Sequence, residues 1–468
     1  MQRKKWFATV GVLRGKALGY GRWSVALTIV IAALTLVRGA AGSQLGTEPD
    51  IATAGETPAG RGRLLALRLA RGAASSQPSS KPDAAGAYNI LHLFTWAKYP
   101  TGNLIFDAPG NLYGTTSNGG SRKCPGGCGV VWKLGRNPKG TRTVSILHAF
   151  TGADGANPFA GLALDNAGNL YGTTARGGTY SGGAVFKLAP NADGTWTESV
   201  LYTFTGGGDG GYPLAGLALD AAGNLYGTTY TSGAYHSGVV FKLAPNPDGT
   251  WAESVLHSFT GGADGSDPVA GLIFDAAGNL YGTAQNGGGS GCSGAGCGVV
   301  FKLAPNPDGT WTESVLYTFT GGADGALTDA GLVFDNAGNL YGTTDAGGSG
   351  CSGLGCGVVF KLAPNPDGTW TESVLHSFTG ADGASGVGLI LNATGNLYGT
   401  TVWGGAYNYG VVFKLTPSSG GWSETVLHSL LGYGRNPQAP VIFDSAGNLY
   451  GTTSSGNGNS GLVFEITR

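Results

Sequence analysis

The chain has 468 residues, 88 of them Gly and only one Met, with 12% charged residues and a formal net charge of −1. So much glycine and so little Glu and Lys exclude a helical protein, and the glycines follow no three-residue period, which excludes collagen. The charge is uneven: residues 1–87 hold 12 Lys and Arg against 4 Asp and Glu, the remainder 15 against 24. An acidic body with no basic stripe excludes a nucleic-acid binder, which needs clustered cations for phosphates.

The first element is an export signal over residues 1–42. Arg3, Lys4, Lys5, Arg14, Lys16 and Arg22 precede an apolar run from Trp23 to Val37. Gly39, Ala40, Ala41 and Gly42 then offer the small residues of a cleavage site. The run falls short of the ~20 residues that span a bilayer, although retention as an N-terminal anchor is the alternative. Residues 43–87, rich in Ala, Gly, Ser, Pro and Arg, match nothing downstream and read as a flexible spacer.

From residue 88 one unit recurs. GNLYG begins at Gly110, Gly168, Gly223, Gly278, Gly338, Gly395 and Gly447, giving seven copies. The third copy predicts four strands: Gly216–Asp220, Asn224–Thr229, Val239–Leu243 and Trp251–Phe259. Turns with Gly and Asp separate the first two; Asn246, Pro247, Asp248 and Gly249 separate the last two. Four antiparallel strands repeated at this period make a propeller blade. The fold class is therefore all-β, a seven-bladed β-propeller spanning residues 88–468.

Closure follows from the ends of the repeat array. Tyr88–Phe94 copies a fourth strand, and Gly461–Ile466 copies a third. The two are complementary parts of one blade, so the N-terminal strand is expected to join the last blade and shut the ring.

The six cysteines fall in pairs, Cys124 with Cys128, Cys292 with Cys297 and Cys351 with Cys356, each in a loop between strands two and three. In an exported chain they read as three local disulfides. Thiolate metal binding is the alternative, although no His or further Cys stands beside a pair.

The recurring GNLYGTT, the GVVFKL strand and the ESVLHSF strand resemble the GloVer tandem-repeat family over about residues 88–468. That resemblance implies an exported bacterial repeat protein with a propeller-like array and a surface anchor; it brings no catalytic residues or substrate. With Arg468 directly after a strand, the N-terminal segment is the expected anchor. The Asp-x-x-Gly-Asn-hydrophobic-Tyr piece is also similar to one hairpin of NHL and gluconolactonase-type propellers.

Function is sought where the copies differ. The turns AAGN and PNPDGT barely change, whereas the strand 2–3 and strand 4–1 loops vary, which suits recognition. Candidate binding residues are Arg176, Tyr180, Tyr230, Tyr235, His236, Trp403, Tyr407 and Tyr409, since rings offer contact area at low entropic cost. The alternative is that these rings pack over neighbouring blades.

Asp154, Asp209, Asp264, Asp324 and Asp382 precede Gly in the strand 4–1 loops. Either they are turn chemistry or they line a channel mouth, and Asp264 with Asp267 is the local candidate for Ca²⁺. No other cofactor is expected.

Five histidines share one repeat position with Tyr202 and Tyr317, which marks a structural ring. The recurrent lysines, such as Lys242, are expected beside the Glu of strand four. The first strands, GLALD and its variants, bring no His, Arg or Glu toward the axis. The reading is an exported, monomeric, non-catalytic binding or structural module whose partner is a glycan, peptide or protein. The alternative is a carbohydrate- or lactone-active hydrolase or lyase at the channel mouth.

Overall fold

The structure, a computed structural model, describes residues 86–136, 141–456 and 460–468. The expected export signal, and the expected spacer up to residue 85, lie outside the described residues. Among the described residues there is no α-helix, one 3₁₀ turn at Cys292–Gly294, and no helix long and apolar enough to cross a membrane.

Seven four-stranded antiparallel sheets form the blades of a β-propeller. Blade three is representative, with strands Ala218–Leu219, Leu225–Thr229, Val239–Pro245 and Trp251–Ser258 running from the axis outward. The innermost strand is shorter than the sequence suggests. Here the strands crowd one another: a Cβ built on Gly216 would lie 3.5 Å from the Gly161 carbonyl, and one on Gly271 would lie 3.4 Å from that of Gly216.

The motif D-x-x-G-N-L-Y-G-T-T is explained residue by residue in this blade. Asp220 Oδ1 accepts the Ala222 and Asn224 amides at 2.9 and 2.8 Å, and Oδ2 accepts Asn224 Nδ2 and the Tyr226 hydroxyl. Gly223, at φ +85°, turns the chain where a side chain would strain it. Leu225 is fully buried. Thr228 Oγ1 reaches into the next blade to the Ala270 carbonyl at 3.2 Å, and equivalent threonines make this bond at five further interfaces.

Gly227 is a packing glycine. A Cβ there would meet the Phe241 ring at 2.6 Å and Leu217 at 3.0 Å. Gly227→Ala is therefore expected to cost roughly 1–3 kcal/mol through overpacking, read as a lower denaturant midpoint at unchanged m-value. An unchanged midpoint would show that the ring can move aside.

The core lies between blades, not within them. Seven apolar clusters of described residues each join one blade to its neighbour. The second unites Phe94, Tyr450 and Val463 of blade seven with Leu112, Trp132 and Leu134 of blade one. The ring is closed.

Its clasp is the strand Tyr88–Leu93, which pairs antiparallel with Leu462–Ile466, Tyr88 opposite Ile466 and Leu93 opposite Leu462. The register shift between Ile90 and His92 matches the one between Val240 and Phe241 of blade three. The bulge is common to the outermost ladder of every blade, so this strand is a true fourth strand.

The recurrent lysines do not sit beside the strand-four glutamates as expected. Lys242 is directly opposite Tyr226 across the second and third strands, its ammonium 5.7 Å from the ring centre, while Glu253 is opposite Leu243. Successive residues of a strand point to opposite faces, so one step of register separates Lys from Glu. In blade seven Glu465 replaces the lysine and accepts the Tyr450 hydroxyl, which also accepts from Arg142.

Candidate functional site

The variable loops gather on one face, and the three disulfides are built into them as Cys124–Cys128, Cys292–Cys297 and Cys351–Cys356. Each bridge braces the strand 2–3 loop against the strand 4–1 loop of its own blade. A Cβ on Gly321, for example, would stand 2.8 Å from both Cys292 and Cys297 sulfurs.

On this face Tyr180, Tyr235 and Tyr407 are 61, 60 and 55% exposed. Tyr433, Trp96 and Tyr99 join them from strand 4–1 loops, although only sequence comparison of those loops could have nominated them. Arg176 and His236 are exposed as well, His236 at φ +61°. Trp403, Tyr230 and Tyr409 are half-buried, and the Tyr409 ring carries the Arg435 guanidinium at 5.0 Å. The candidates are thus spread over blades two, three and six rather than drawn to one point.

The strand 4–1 aspartates each serve their own loop. Asp209 accepts the Thr205 amide, the Thr205 hydroxyl and the Tyr202 phenol, the last at 3.0 Å. Where the repeat has His, the ring nitrogen takes the place of the phenol, 2.9 Å from Asp154 for His148 and 3.1 Å from Asp382 for His376. His92 and His428 have no such Asp and are held below the ordinary histidine pKa by burial. Asp264 bonds Thr260 and lies 3.2 Å from His257, whereas Asp267 accepts Asn286 at 2.9 Å. The two members of the calcium candidate therefore face different partners.

Two features were missed in the sequence. Five strand-four glutamates, Glu198, Glu253, Glu313, Glu372 and Glu424, each turn one carboxyl oxygen inward with no hydrogen-bond partner. Each is pushed up to about 7, first by burial and then by an aspartate of the preceding blade, as Asp209 acts on Glu253.

The second is an acidic pair on the axial side of blade five. Asp329 occupies the repeat position of Phe159, Leu214 and Val269, and Asp345 follows the second strand. Asp329 keeps contact with solvent although protein surrounds it, and Asp345 is half-buried. Burial raises both acids; Asp345 raises Asp329 further, and the Ser385 hydroxyl eases Asp345 downward. A second carboxylate nearby disfavours the charged form of the first, which adds to the effect of burial on Asp329. A position-by-position comparison of LTDAGLVFD with DPVAGLIFD carries the signal, two residues ahead of the GLxFD strand.

These features define a class: a disulfide-braced, seven-bladed propeller of tandem repeats with a uniform turn face and a variable loop face. The chain belongs to the Gloeobacter/Verrucomicrobia repeat family, whose profile matches residues 99–356 and 292–468. No curated protein matches it. Among solved structures it is similar to a Bacteroides uniformis protein provisionally described as a 6-phosphogluconolactonase, 16% identical, at a TM-score of 0.46 over 71% of this chain and 86% of that one.

Proposed function

We propose that this chain is an exported, non-catalytic module that binds a surface glycan, peptide or protein through its variable loop face. The observation that carries the reading is the placement of exposed rings: Tyr180, Tyr235, Tyr407, Tyr433, Trp96 and Tyr99 all stand on the strand 2–3 and strand 4–1 loops. Exposed rings on a rigid frame bind at small entropic cost. Export rests on the basic and apolar N-terminus together with three disulfides, which persist in oxidising compartments.

The acidic pair of blade five supports a second reading, acid–base turnover of a lactone or glycoside at the channel mouth. One experiment separates the two. The purified protein is passed over a glycan array and a cell-surface pull-down, beside a Tyr180→Ala, Tyr235→Ala, Tyr407→Ala variant and an Asp329→Asn variant. Loss of capture by roughly tenfold or more in the aromatic variant alone, at unchanged Tm, is the expected result. Turnover of sugar lactones or glycosides that disappears in Asp329→Asn would replace the binding reading with the catalytic one.

A further inference from the structure

The junction of blades one and two carries a group of ligating atoms that the loop-face reading does not use. His148 lies on the outermost strand of blade one, Arg142–Ala149, and Asp154 on the loop that leaves it. Glu198 lies on the outermost strand of blade two, Trp196–Thr203, opposite Leu188. The ring nitrogen of His148 and a carboxylate oxygen from each acid all fall within 4.8 Å of one another.

The parts are held for that arrangement. Asp154 Oδ1 accepts the Thr151 amide at 2.7 Å and its hydroxyl at 2.9 Å, which fixes the carboxylate and leaves Oδ2 facing His148 Nε2 at 2.9 Å. Glu198 Oε1 is buried and has no hydrogen-bond donor. A buried acceptor without a donor, set beside a second carboxylate, is costly, and a cation answers both deficits at once. His148 and Asp154 side chains keep 20 and 18% of their surface exposed, so an ion can enter and water can complete its shell.

We propose that His148, Asp154 and Glu198 form a divalent transition-metal site that links blade one to blade two. One imidazole nitrogen with two carboxylates suits Zn²⁺ or Co²⁺; Ca²⁺ takes six to eight oxygens and does not favour nitrogen. On binding, Nε2 gives up to solvent the proton it shares with Asp154, and the neutral imidazole presents Nε2 to the metal as the Nδ1–H tautomer. The ion replaces the His148–Asp154 hydrogen bond and neutralises the two facing carboxylates. The repeat supplies its own comparison: the equivalent junctions after blades two and four carry Tyr202 and Tyr317 in place of the histidine, and after blades three and five the His–Asp pair is wider, 3.2 Å for His257 and 3.1 Å for His376.

The test uses the full chain, stripped with a chelator and with its disulfides intact. Zn²⁺ and Co²⁺ are titrated by calorimetry and by visible absorbance, beside His148→Tyr, Glu198→Gln and His236→Ala. Wild type and His236→Ala are expected to bind in the micromolar range and to give a Co²⁺ ligand-field band. His148→Tyr and Glu198→Gln are expected to bind roughly tenfold or more weakly. The fold already accepts tyrosine at this repeat position, so His148→Tyr reports on the metal and not on folding, which a matched Tm would verify. Absence of heat and absorbance in wild type, undiminished binding in both ligand variants, or a response to Ca²⁺ but not Zn²⁺ would each overturn the assignment.

Discussion

A chain lacking residues 88–95 is expected to lose its cooperative transition, with Tm lowered by more than about 10 °C or the product driven out of solution. The deletion removes every ladder contact of the Tyr88–Leu93 strand with Leu462–Ile466. It also removes Phe94, 2% exposed, from a cluster that spans blades seven and one, where its ring stands 5.4 Å from Trp132. The stacking of Tyr88 on His428 at 4.0 Å goes with it, so blade six loses a neighbour as well. What remains is a three-stranded last blade with an open edge, which pairs readily with other chains. A milder variant separates strand loss from core loss: Phe94→Ala alone is expected to cost about 3–5 kcal/mol. Calorimetry of the two proteins settles the matter, since an unchanged melting point in the deletion would mean that the ring does not depend on its clasp.

The second large effect is a fall in stability as the pH rises. Glu253, Glu313, Glu372 and Glu424 are pushed up to about 7 by burial and then by Asp209, Asp264, Asp324 and Asp382 respectively. A carboxyl whose folded pKa is raised gives its full stabilisation below the unfolded value near 4.5 and loses it as the pH climbs through about 7. These groups are only half-buried, so each contributes about 1 kcal/mol after allowance for solvent screening. The turn aspartates act in the opposite sense. Burial pushes Asp220 up, but hydrogen bonds from Asn224, Tyr226 and Ala222 outweigh it and hold the group below its usual value, and Asp275 and Asp335 behave alike. Their contribution is present above the ordinary aspartate pKa and lost on strong acidification. Maximum stability is therefore expected in mildly acidic solution, with Tm several degrees lower at pH 8 than at pH 5. Replacing the four glutamates by Gln should flatten that slope. A wild-type Tm that rises from pH 5 to pH 8 would contradict the arrangement.

Much of this molecule was legible before its coordinates. Seven GNLYG copies, four strand signals per copy and complementary ends gave blade number, blade composition and ring closure, because each is set by local pattern repeated along the chain. The three disulfides were equally plain, since pairs four or five residues apart on one loop need no distant information. The turn chemistry of Asp220, Gly223 and Asn224 was readable for the same reason.

The surfaces between blades were not. Lys242 was expected near Glu253, yet strand pleating sets it over Tyr226, and the glutamate meets Asp209 of the blade before it. Asp329 and Asp345 looked like unrelated loop residues until the fold of blade five brought their carboxyls within electrostatic reach of each other. His148 and Glu198 are fifty residues apart, in blades whose mutual approach no periodicity states. Sequence determined the blades and the order in which they close, because hydrogen-bonded turns and alternating strands are local. Only the tertiary ring decided which carboxyl faces which neighbour, because that depends on the angle between packed sheets and on a repeat's outward face meeting the next repeat's inward one.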